Sequence, residues 1–175
     1  MKAIVRNAGV CGGIMLALAS CGENDDSPSR IALPILWEFN QESAPLDLAE
    51  LTQDEKDDIK FLTTKTFVVN GYDEFPECGF ISDDWEAKSI DFEGRSVIVN
   101  YQLCAYRPVG HDYGWIYDYN EDERQFVVST AVDGDFLLDD DMAYIVRNAI
   151  MVNEVTPDTP VSSVFSVGSL SAGTK

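Results

Sequence analysis

From residue 96 onward, apolar residues recur at every second position in a series of short runs, and the pieces between those runs are rich in Asp, Asn, Gly and Pro. A period of two places alternate side chains on one face, so each run reads as a strand buried on one side. Ser96 to Leu103 carries Val97, Val99, Tyr101 and Leu103 on one face and Asn100 and Gln102 on the other. Gly114 to Tyr119, Gln125 to Val132, Ala143 to Val152 and Val161 to Val167 follow as further strands. Asn120 to Glu123, Asp133-Gly134-Asp135 and Thr156-Pro157-Asp158 have the residues of turns. Short polar connections favour antiparallel neighbours, because parallel pairs need long crossovers. The expected fold is α+β, mainly β: an antiparallel meander sheet with one or two short helices.

The helices are expected earlier in the chain. Thr52-Gln53-Asp54-Glu55 has the spacing of a capping box, and Ile59 with Leu62 gives the following turns an apolar side. Before it, Ile31, Leu33, Ile35 and Trp37 alternate as in a strand that Pro34 confines to an edge. After it, Thr66 to Val69 is a short β-branched run, and Asn70 caps a helical turn through Asp73, Glu74 and Phe75 or, with Gly71, makes a hairpin turn.

The N-terminal end gives the chain an address. Lys2 and Arg6 precede a mainly apolar run from Ala8 to Ala19, which is too short to span a bilayer. Leu18-Ala19-Ser20-Cys21 resembles the lipobox at which bacterial lipoproteins are cut and their cysteine acylated. The expected organisation is a signal peptide over 1–20, an acidic tether over 21–30 and one β-rich domain over 31–175, with Cys21 the lipidation site. About 145 residues suffice for a single core. Gly22 beside the cysteine, in place of an aspartate, favours outer-membrane sorting, facing the periplasm or the surface.

Charge narrows the possible partners. The leader takes two of the 12 basic residues and none of the 31 acidic ones, so ten against 31 leaves −21 on the mature chain. Such a chain repels nucleic acid and anionic headgroups, and its membrane attachment must come from the acyl chains. Of the four cysteines, Cys11 leaves with the leader and Cys21 takes lipid. Cys78 and Cys104, delivered to an oxidising compartment, are expected to form a disulfide worth about 3 kcal/mol. The competing reading is a nucleophilic Cys104 served by His111, the single histidine. His111 otherwise reads as a loop residue near Pro108 and Gly110.

Two groups of residues are candidate binding sites. Asp133, Asp135, Asp139, Asp140 and Asp141 crowd one expected loop, where a hard cation such as calcium would relieve their repulsion. Asp118, Asn120 and Asp122 match the first positions of an EF-hand loop, but Glu123 and Ser129 replace its glycine and final glutamate, so a solvated hairpin turn fits better. Tyr113, Trp115, Tyr117 and Tyr119 share one face of a strand. That face either packs into the core or forms a platform for a glycan or a protein. No cofactor is otherwise implied, and neither a nucleophile elbow nor a phosphate-binding glycine loop occurs.

The succession Thr66-Phe67-Val68-Val69-Asn70, Asp73-Glu74-Phe75, Ile90-Asp91-Phe92 and the strand Val97 to Tyr101 resembles a group of small uncharacterised bacterial lipoproteins, many from Bacteroidota. More distantly, it is similar to the C-terminal domain of a lipoprotein that stabilises a surface protease complex. The resemblance runs from Thr66 to Val155 and carries no catalytic residues. It implies a non-catalytic envelope module that binds or stabilises another envelope protein. Arg107-Pro108-Val109-Gly110-His111 stands where the protease-partner domain has a glycine-rich stretch, a departure that bears on that role.

Overall fold

The computed structural model describes residues 30–81, 90–104, 106–138, 142–156 and 158–167, with the backbone path alone for 106–112, 133–138 and 167. The expectation of a mainly β, largely antiparallel α+β fold is met. Strands β1 (Arg30–Ala32), β2 (Trp37–Glu42) and β3 (Leu46–Asp47) precede helix α1 (Gln53–Thr63) and β4 (Thr66–Val69). A 3-10 turn over Tyr72–Glu74 leads on to β5 (Arg95–Cys104), β6 (Tyr106–Asn120), β7 (Gln125–Leu138), β8 (Met142–Asn153) and β9 (Val161–Val167).

The strands divide between two sheets. One has the order β1-β6-β7-β9 and the other β2-β8-β5-β4, with β3 also on β8. Among the described residues, only β4 with β5 and β6 with β7 are neighbours in both sequence and sheet, and β9 runs parallel to β7, so the strand order departs from a simple meander. Its origin is a long two-stranded ribbon. β5 pairs with β8 from Arg95↔Asn153 to Cys104↔Tyr144, and β6 pairs with β7 from Tyr106↔Leu138 to Asn120↔Gln125. The ribbon crosses from one sheet to the other between these blocks, and its two halves form the centres of the two sheets.

Two sequence expectations fail along this ribbon. His111, near Pro108 and Gly110, was expected in a loop and Asp133-Gly134-Asp135 in a turn, yet these positions lie within β6 and β7. Pairing over the whole ribbon outweighs the local preference of Gly134 and Pro108 for turns. The described register fits Pro108, because β1 pairs with β6 only at residues 118–120, so at Pro108 the strand has one partner, β7. A one-residue shift in register between Val109 and Asp112 marks a bulge close by.

Alternation along the strands creates two cores. Val97, Val99, Tyr101, Ile145 and Ala149 face α1 and enclose Ile59 and Leu62. Ile98, Ile150 and Val152 face the opposite sheet and meet Tyr117 and Val128 there. The helix is seated by its capping box: the Glu55 N–H donates to Thr52 Oγ1 at 3.3 Å, and the Thr52 N–H donates to Glu55 Oε2 at 2.8 Å.

Candidate functional site

The aromatic stripe resolves in favour of the core. Trp115, Tyr117 and Tyr119 pair across β7 with Thr130, Val128 and Phe126. Tyr117 and Val128 belong to the cluster between the sheets, and Trp115 packs against it. Tyr117 is 4% exposed and its ring stacks on Phe126, with centroids 5.5 Å apart. Tyr113 stacks on Trp115 at 5.9 Å, and its hydroxyl donates to Glu42 Oε1 of the other sheet at 3.2 Å. The stripe is therefore a wall between the sheets and not an exposed glycan platform. Burial pushes the Tyr117 hydroxyl up to about 12.

The expected disulfide between Cys78 and Cys104 is absent. Cys78 packs in the helix-side core with Val97 and Val99, whereas Cys104 falls in the alternate register with Asn100 and Ile98, facing the other sheet. A sheet separates the two sulfurs, so a bond would require moving a core strand. Cys104 is equally unsuited to nucleophilic work. Burial, reinforced by the nearby Glu42 carboxylate, pushes its thiol up to about 11, so almost none is thiolate at neutral pH. His111 lies within β6, not in a loop.

The acidic positions do not share one loop. Asp133 and Asp135 are ladder residues of β7, opposite Asp112 and Val109, while Asp139, Asp140 and Asp141 lie outside the described residues. Among the described residues, no group of three or more His, Cys, Asp or Glu is placed to hold a metal. The segment resembling an EF-hand is a hairpin turn. Asn120 Oδ1 accepts from the N–H groups of Asp122 and Glu123 at 3.1 and 3.2 Å, the use of a turn asparagine expected from physical chemistry. Asp118 is buried against Arg30 at 3.8 Å, and burial raises its carboxyl despite that neighbour. Cys21 also lies outside the described residues.

The motifs behind the family resemblance form a joint. The Asn70 N–H donates to Glu74 Oε2 at 2.7 Å, which closes the 3-10 turn, and Tyr72 donates to the Ile90 carbonyl at 2.6 Å. Tyr72 and Phe75 pack on Phe92 with centroids 5.1 and 6.2 Å away. Asp91 accepts from the Glu93 N–H at 3.0 Å and faces Arg95 at 3.7 Å. These residues secure the entry to β5 and present no reactive group.

One surface was not foreseen from the sequence. The two sheets have edges on the same side of the molecule, β4 on one and β9 on the other, linked by a hydrogen bond from Thr66 Oγ1 to Ser163 Oγ of 2.8 Å. With the C-terminal end of α1 these edges border a groove of about 280 Å³, lined by Thr63, Lys65, Thr66, Val161 and Ser162 among others. Among the described residues β9 is bonded on one side only. Its sequence, Val-Ser-Ser-Val-Phe-Ser-Val, contains no charge and no proline, the devices by which open edges are usually protected. Val164 at its centre is 53% exposed. On the outer face of the sheet, Val164 pairs with Ser129 and Ser129 with Ile116, itself 51% exposed. The sequence signal for this edge was present in the contrast between a charge-free strand and a chain in which 25% of residues are charged. No protein-family model, no curated protein and no solved structure matches this chain.

Proposed function

We propose that the protein is a lipid-anchored module of the bacterial envelope that holds another envelope protein without catalysis, and that the open β9 edge is where it does so. The observation that carries this reading is the uncharged seven-residue edge strand, bonded on one side only among the described residues. An extended segment laid along such an edge gains main-chain hydrogen bonds, and alternate side chains give specificity. Its outer neighbours, Val164 and Ile116, add apolar contact. The chain's own charge, −21 after the leader, selects a neutral or basic segment over an acidic one. The lipobox ending at Cys21 supports the anchor, and two or three acyl chains make attachment effectively permanent.

A photoreactive amino acid at Val164 tests the edge. In intact cells it is expected to yield one discrete adduct that is missing when the same group replaces exposed Lys56 on α1. Val164→Lys, which places a charge on the edge without entering the core, should abolish co-purification of the crosslinked protein and leave the melting temperature unchanged. An identical adduct pattern from both positions overturns the edge as the binding site. The anchor is tested separately: Cys21→Ala should incorporate no labelled fatty acid and leave the detergent phase, and retention there would refute the lipoprotein reading.

A further inference from the structure

One bond tells which backbone groups of β9 face its open side. The Phe126 N–H donates to the Pro160 carbonyl at 3.0 Å, and Phe126 pairs with Val161 in the parallel ladder of β7 and β9. Successive residues of a strand turn their N–H and C=O groups to opposite sides, so Pro160, Ser162 and Val164 turn theirs towards β7. Val161, Ser163 and Phe165 turn theirs outward, where a docked segment would bond them. The residue of that segment directly opposite Ser163 stands about 5 Å from it and points to the same face of the sheet. That face is the one between the sheets, since Ser163 pairs with Val128 of the inter-sheet cluster and bonds Thr66 of β4. The side chain opposite Ser163 therefore enters the groove that Lys65, Thr66 and Ser163 help to line.

Hydrogen-bonding capacity at that point discriminates between side chains. Thr66 Oγ1 donates its proton to Ser163 Oγ at 2.8 Å, which leaves Thr66 only lone pairs, while Ser163 keeps its own O–H to donate. Lys65 holds its ammonium 4.0 Å from the centre of the Phe61 ring and adds a positive charge to the groove wall. A partner lysine or arginine would meet that ammonium as a like charge. A carboxylate would set lone pairs against those of Thr66, and the chain's net charge of −19 would repel it. An aliphatic group would strip water from both hydroxyls and bond neither. A carboxamide carries donor and acceptor on separate atoms, its N–H for Thr66 and its C=O for Ser163. The groove, at about 280 Å³ against roughly 30 Å³ for one water, has room for it.

We propose that the segment held at β9 carries Asn or Gln at the position opposite Ser163, and that Ser163 and Thr66 recognise its carboxamide. This rests on the edge reading above and adds to it the residue that the partner must supply. The neighbours of that residue in the segment point to the outer face, beside Val164, so the segment alternates a carboxamide inward with apolar residues outward.

Fluorescence polarisation on the mature lipidated chain in detergent tests this. The probes are four fluorescein-labelled peptides, Ser-Val-Ser-Val-Asn-Val-Ser-Val-Ser and the same sequence with Asp, Lys or Leu at the centre. Leu and Asp match Asn in shape but lack its donor. The Asn peptide is expected to bind about tenfold more tightly than each of the others, and Thr66→Val and Ser163→Ala should each remove that advantage. Should either variant fail to fold, the other variant and the four peptides on the unmodified chain decide. Equal binding of all four peptides, weakened throughout by Val164→Lys, overturns the carboxamide site and leaves the edge reading standing. An Asn preference that survives both variants, or tightest binding of another peptide, overturns it as well. Binding of none of the four also overturns it, and the crosslink from Val164 then decides the edge reading by itself.

Discussion

Ser96 is fully buried at the start of β5, and its hydroxyl joins three segments of the chain. It donates to Asn70 Oδ1, 26 positions earlier, and accepts the Val155 N–H, 59 positions later, at 2.8 Å. Ser96→Ala would leave a buried N–H and a carboxamide oxygen without their partner, which costs about 2 to 3 kcal/mol. Chemical denaturation reads this directly, and a loss below about 0.5 kcal/mol would show that both groups find other partners. Combining it with Asn70→Ala should cost less than the sum, since both changes break one bond. Asn70 was expected to cap the following turn or, with Gly71, to make a hairpin turn, but Gly71 is the N-cap of the 3-10 turn, without a side-chain cap bond, and the Asn70 carboxamide is taken by Ser96. Ser96 carried no signal, because partners so distant in sequence leave no local pattern.

Elements defined by local chemistry were readable, and those defined by long-range pairing were not. The capping box of α1 stands where the spacing of Thr52 and Glu55 puts it, and Ile59 and Leu62 are its buried residues. Thr52→Ala should destabilise the protein by about 1 kcal/mol. A pH signature accompanies it. Hydrogen bonds from the Thr52 side chain and backbone hold the Glu55 carboxyl below its ordinary 4.5. A lowered folded value stabilises above the unfolded value and is lost as pH falls through the folded one. Part of the stability lost on acidification below pH 4.5 is therefore due to this cap, and in Thr52→Ala that part should shrink, as thermal melts between pH 3 and 6 can determine. The strand cores of β5, β8 and β9 were equally readable from their period of two. The extension of β6 through Pro108 and of β7 through Gly134 was not, because turn residues dominate those windows and only the ribbon register overrides them.

At the scale of the whole molecule, periodicity tells which side chains share a face but not which sheet a strand joins. One sheet carries an apolar row on its helix side and the other an aromatic row on the face between the sheets, so Val97 to Leu103 and Tyr113 to Tyr119 looked alike in sequence while ending in different layers. What the sequence does fix globally is charge, and 31 acidic against 12 basic residues cause the folded chain to repel itself. Raising sodium chloride from low ionic strength should therefore raise the melting temperature, through screening alone. Calcium separates screening from binding. If the acidic positions Asp133, Asp135 and Asp139 to Asp141 act only through repulsion, calcium and magnesium at equal concentration should raise the melting temperature equally, and Asp140→Asn should change stability by no more than about 0.5 kcal/mol. A ligand cage behaves differently, because an ion bound only to the folded state adds a stabilisation that grows with its concentration. Calcium is also larger than magnesium and tolerates more irregular oxygen ligands, so a cage built from loop carboxylates would favour it. With Asp133 and Asp135 held in the β7 ladder, the equal response is expected. A calcium-specific rise of several degrees, lost in Asp140→Asn, would show instead that these carboxylates converge on an ion.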